Sequence, residues 1–154
     1  MKVEFHAGMS DQATTAIAFA LHAPFEELGG RLEGDYGGIM EHLWIDLELV
    51  EHFANADGTP RHPFRFQKRV SGRGRFGLPS VPDWDNVGHF SVRPDFAVLL
   101  SLPDKKVLPY VLSRIHEASQ VLVGRQKRLG GFDATRFRER LLSECRALGH
   151  DIRA

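Results

Sequence analysis

The chain has one cysteine, two tyrosines and two tryptophans in 154 residues. A lone cysteine excludes an internal disulfide, so stability has to come from a packed core. No apolar run approaches the roughly 20 residues of a membrane helix. The longest, Ala16 to Leu21 and Phe96 to Leu100, read as core segments, and no membrane partner is expected. The opening Met1-Lys2-Val3-Glu4-Phe5-His6 has no secretory h-region, so a cytoplasmic protein is expected. Catalytic signatures are also missing: there is no HxxxH, HExxH, paired CxxC or GxSxG.

Basic side chains are scarce in one half. The first 60 residues carry 11 carboxylates and 2 basic groups, a formal charge of −9. The remaining 94 carry 18 basic groups and 9 carboxylates, a formal charge of +9. The net charge of zero hides two opposed halves. Either the fold neutralises one half with the other, or it shows an acidic face to a basic partner. The length suits a single globular domain spanning 1–154, with hydrophobic content of 42% to build its core.

Periodicity predicts an α+β fold. Val3 and Phe5 alternate with Lys2, Glu4 and His6 as a short strand. Ser10-Asp11 can cap a helix whose apolar face is Ala13, Ile17, Ala20 and Leu21, and Pro24 ends or kinks it. Gly29-Gly30 and Gly37-Gly38 mark a loop. The clearest strand is 43–51, with Leu43, Ile45, Leu47 and Leu49 opposite Trp44, Asp46, Glu48 and Val50. A turn at 54–60 leads to a second strand at 62–70, and the two make a long hairpin. Residues 71–82 read as an exposed loop and 86–93 as a third strand, while 96–102 fits a strand or a short helix.

A helix starts between Pro103 and Pro109, with Pro109 in its first turn and Leu108, Val111, Leu112, Ile115, Ala118 and Leu122 on its core side. Asp133 caps a last helix, and Phe132 can staple against Phe137. The expected architecture is a central antiparallel sheet of three to five strands built on the long hairpin. An N-terminal helix and two C-terminal helices pack on it.

Several residue groups could carry chemistry. His42, His52 and His62 recur every ten residues, which is no metal-ligand spacing, and no metal or other cofactor is expected. Cys145 falls on the helical stripe Phe137, Leu141, Cys145, Leu148 and reads as a buried thiol. Asp83, Asp85 and His89 could serve acid/base chemistry in a small hydrolase. Asx turns around an anchoring Trp84 are the simpler account. Lys68 to Gly77 is basic and glycine-rich. Arg65, Lys68, Arg69, Arg73 and Arg75, with phenylalanines nearby, could bind phosphates and bases of a single strand. Gly72-x-Gly74-x-x-Gly77 spells a dinucleotide fingerprint, but Leu78-Pro79-Ser80-Val81-Pro82 cannot form the helix that must follow.

The acidic half offers a different site. Asp35, Tyr36, Glu41, Trp44, Asp46 and Glu48 set carboxylates around aromatic rings. Such a surface steers and anchors a basic protein. Some of its charge is expected to meet cations of the 62–70 strand across the hairpin. The segment Gly34-Asp35-Tyr36-Gly37-Gly38-Ile39-Met40-Glu41-His42-Leu43-Trp44-Ile45-Asp46-Leu47-Glu48-Leu49-Val50-Glu51, with His62-Pro63-Phe64-Arg65-Phe66-Gln67-Lys68-Arg69-Val70, resembles the small immunity proteins of bacterial polymorphic and contact-dependent toxin systems. The resemblance implies a cytoplasmic, non-catalytic inhibitor that binds one cognate toxin domain, often a basic nuclease, and covers its active site.

Overall fold

The computed structural model describes residues 1–8, 12–49, 63–70 and 84–152. The architecture is α+β with a four-stranded sheet. Strand β1 is Lys2–Gly8 and helix α1 is Gln12–Leu32. Strands β2, β3 and β4 are His42–Glu48, Arg65–Val70 and Trp84–Val92. Helices α2, α3 and α4 are Phe96–Ser101, Asp104–Ala118 and Ala134–Ala147, with a 3₁₀ segment at Ser119–Arg125.

The sheet is mixed, in the order β1-β2-β4-β3. β1, β2 and β4 run parallel, and β3 is antiparallel to β4. The expected β2–β3 hairpin does not exist, because β4 lies between the two strands. Alternation tells which face a side chain takes but not which strand pairs. Only a loop of about two to five residues would have fixed a hairpin. The buried side of β2 also calls for central placement: Leu43, Ile45 and Leu47, and Leu49 just beyond, are all essentially inaccessible. With β1 and β4 as its neighbours, β2 leaves no edge open.

Helix α1 runs through Pro24 and past Gly29-Gly30, where the sequence suggests a break. Its buried stripe is Thr14, Ala18, Leu21, Phe25, Leu28 and Leu32, at alternating spacings of four and three. The expected face is therefore rotated, and Ala20 is exposed. Burying Leu21, Phe25, Leu28 and Leu32 is worth about 1.5–3 kcal/mol each. That exceeds the ~3 kcal/mol of one interior proline and ~1 kcal/mol per glycine. Gly29 also has a packing reason: a Cβ there would stand 2.6 Å from the Val3 carbonyl oxygen.

Residues 96–101 are helical, capped by Asp95, whose Oδ1 accepts from Val98 N at 3.2 Å. Pro109 lies inside α3 rather than in its first turn. The carbonyl it leaves without a helical donor, that of Lys105, belongs to an exposed residue, so the proline costs less than it would in the core. Asp133 caps α4 as expected, accepting from Arg136 N at 3.0 Å. One hydrophobic cluster joins Val3 to Ile152 across sheet and helices. Cys145 is buried in it, and burial, helped by Glu144, pushes its thiol up to about 12.

Candidate functional site

Register and alternation put two kinds of side chain on opposite faces of the sheet. Val3, Leu43, Ile45, Leu47, Phe90 and Val92 join the helices in the core. The other face is polar. Its central row crosses all four strands: Glu4 on β1, Trp44 on β2, His89 on β4 and Arg65 on β3. The next row holds His6, Asp46 and Ser91, and the row before holds Lys2, His42, Val87 and Gln67.

Trp44 is half-buried at the centre. The rings of His6 and His89 stand edge-on to it, with centroids 6.2 and 6.4 Å away. His89, only 6% exposed, shares a 2.5 Å hydrogen bond between its Nε2 and Asp46 Oδ2. Asp46 thereby keeps one side toward solvent and one toward the imidazole. Glu4 lies 3.5 Å from His6. At the head of β2, burial pulls the His42 pKa down, against an opposing pull from Glu4.

Of the six residues expected on an acidic and aromatic face, Trp44, Asp46 and Glu48 share this one. Exposed Glu41 precedes it, its N–H donating to Asn86 O and its carbonyl accepting from Lys2 N. Asp35 and Tyr36 lie elsewhere, in the α1–β2 loop. Asp35 Oδ1 accepts from Gly37 N at 2.8 Å, an Asx turn. Tyr36 is 2% exposed and belongs to the core. Its hydroxyl donates to Leu32 O at 2.6 Å, and its ring packs on Phe132 and Phe137. Burial raises the phenol pKa, against the pull of Arg140 and Arg136.

Asp46 and Glu48 do not meet cations of β3 across a hairpin, because their neighbours are β1 and β4. Arg65 is on the same face but one strand further away. Lys68 falls on the opposite side of β3, three residues on. Only the backbone register of Arg69, opposite Asp85, is described. Arg73, Arg75, Asp83, His52 and His62 lie outside the described residues. Asp85 and His89 are about 13 Å apart along β4, and the carboxylate at His89 is Asp46. Among the described residues no three His, Cys, Asp or Glu side chains converge as metal ligands would, and no helix is long and apolar enough to cross a membrane.

Sequence reading missed Glu4, His6 and His89 as members of this face. Their alternation was visible in the sequence, but their neighbours depend on the parallel pairing. Comparison with models of protein families, with curated proteins and with solved structures finds no match to this chain.

Proposed function

We propose that this chain is a non-catalytic protein inhibitor of the immunity type, which binds and neutralises a cognate bacterial toxin domain in the cytoplasm. The supporting observation is the polar sheet face. There Trp44 stands half-exposed in register with Glu4, one rung from Asp46. Carboxylates around a rigid, partly exposed ring suit capture of a basic surface, such as that of a nuclease domain. The charges speed and orient encounter, and the ring anchors the complex. Arg65 at the far side of the row would fix the orientation by meeting a carboxylate of the partner.

The nucleic-acid reading has less support. Arg65 and Lys68 point to opposite sides of β3, and Glu4, Asp46 and Glu48 would repel phosphates near Trp44. The hydrolase reading has the Asp46–His89 hydrogen bond in its favour. A general base must reach its substrate, however, and His89 is buried.

Co-expression with a toxic domain encoded in the neighbouring reading frame tests the inhibitor reading. The expected result is rescue of growth by the native chain and its loss in D46K/E48K. Failure of the native chain to bind or neutralise that domain would overturn the reading. Equal rescue by the double variant would overturn the choice of face.

A further inference from the structure

At the β1 edge of the sheet, a groove of about 720 Å³ runs between β1 and α1. Five consecutive residues, Val3 to Ala7, line its strand side. Successive strand side chains point to opposite faces, so a wall made of all five is the outer edge of the strand. β1 is the end strand of the sheet. Lys2 N–H donates inward to Glu41 O at 2.8 Å. The alternation of a parallel ladder then turns the N–H and C=O of Val3, Phe5 and Ala7 outward. The Val3 carbonyl is covered by Gly29 of α1. Among the described residues no backbone hydrogen bond closes the outer side of Phe5 or Ala7.

The groove combines an apolar floor with charge of one sign. The rings of Phe5 and Phe25 pack at 5.3 Å along it. Phe19 stands on its wall at 71% exposure, the highest among the described large apolar residues that remain exposed. Glu4, Glu26 and Glu33 line it, with no lysine or arginine. The ion-pair partners of Glu4 and Glu26 are the histidines His6 and His22, at 3.5 and 3.8 Å. An open strand edge is a template for a further strand, and here the surrounding charge selects a cationic one.

We infer that this groove receives an extended, basic segment of the partner protein as an added strand on β1. The segment's backbone bonds to Phe5 and Ala7, an apolar side chain covers Phe19, and its lysines or arginines meet Glu26 and Glu33. The inference rests on the reading that the chain works by binding another protein. A second copy of the chain is the poorer occupant, since it brings the same three carboxylates with it.

The test uses the full chain and a synthetic peptide of alternating valine and lysine, with a valine–glutamate peptide as control. Amide exchange at Phe5 and Ala7 is followed by NMR. The lysine peptide is expected to protect both amides and to bind roughly tenfold more weakly to E26K/E33K or at raised salt. The glutamate peptide should not bind. A7P removes one outward N–H without touching the β1–β2 ladder, and it should weaken binding in the same way. E26K/E33K changes only exposed positions and keeps the test decisive if A7P unfolds. Three outcomes would overturn the inference: unprotected Phe5 and Ala7 amides, equal binding of the two peptides, or self-association that protects the same amides. A neutralised toxin domain that protects the β2 face but not Phe5 and Ala7 also overturns the groove, while leaving the inhibitor reading intact. Peptide bound in the groove without any toxin neutralised does the reverse.

Discussion

Tyr36 and Trp44 lie eight residues apart, each with carboxylates close by in sequence, and the fold treats them in opposite ways. Tyr36 is drawn inward by its backbone. Asp133 N donates to Tyr36 O at 2.8 Å, and Ile39 N donates to Leu129 O at 3.1 Å, so the loop is tied to the lead-in of α4. Gly38, at φ 73°, makes that approach possible: a Cβ there would lie 2.8 Å from Phe132 N. The phenol then reaches Leu32 O at the C-terminus of α1, where the helix itself supplies no donor. Trp44 has no such freedom. Strand alternation assigns it to the polar face whatever surrounds it. Nearby acid groups therefore say little about whether a ring is exposed. In a strand the period decides, and in a loop the backbone's partners decide.

Truncating both rings should separate the two sites most sharply. Tyr36→Ala removes a ring enclosed by Phe132 and Phe137 and should cost about 3–5 kcal/mol in a urea unfolding curve. Trp44→Ala should cost less than half as much. If the two losses came out equal, Trp44 would have to be a core residue, and the contrast would fail. In complex with the proposed partner the order should reverse. Trp44→Ala should then lose about 2 kcal/mol or more of affinity, read chiefly as faster dissociation. Asp46→Lys should instead slow association and flatten its salt dependence. Slower dissociation on losing the indole would remove Trp44 from the interface.

A single oxygen refines the Tyr36 side. Tyr36→Phe keeps the ring but leaves the Leu32 carbonyl without its donor, at a cost of about 1–2 kcal/mol. The phenol should also titrate above its ordinary value of 10.0, because burial opposes its ionisation. The folded state holds this proton more tightly than the unfolded chain does. Stability is therefore intact below about pH 10 and declines as pH rises beyond it. An absorbance titration with an ordinary phenol midpoint would place Tyr36 in solvent.

The limits of the sequence follow the same physics. Period-2 alternation located β2 and sorted its two faces correctly, because burial on one side leaves a mark on every second residue. It also set Glu4 and His6 apart from Val3 and Phe5 on β1. It could not show that β4 enters between β2 and β3, since pairing partners leave no local mark and the connection is too long to fix a register. Helix signals did well where a cap was present, as at Asp133, and poorly where a breaker met a strong apolar stripe, as at Pro24. The loop ring Tyr36 was misread because its fate rests on contacts with residues nearly a hundred positions away.

The smallest predicted effect concerns the head of the Trp44 strand. Burial lowers the His42 pKa below its ordinary 6.5. The unfolded chain then takes up a proton before the folded one does. Stability is full above about pH 6.5 and falls as pH drops from there toward the folded-state value. His116 shifts in the same direction, by burial and by the charges of Arg138 and Arg146. The acid loss should therefore shrink, without vanishing, in His42→Gln. Denaturation midpoints measured from neutral pH down to about pH 5 would show this as a shallower slope in the variant. A slope identical to that of the native chain would mean that His42 titrates as though in water. In that case the strand carrying Trp44 would be open from its first residue. Acid would then weaken the fold through His116 alone of the two histidines, while alkali would still weaken it through Tyr36.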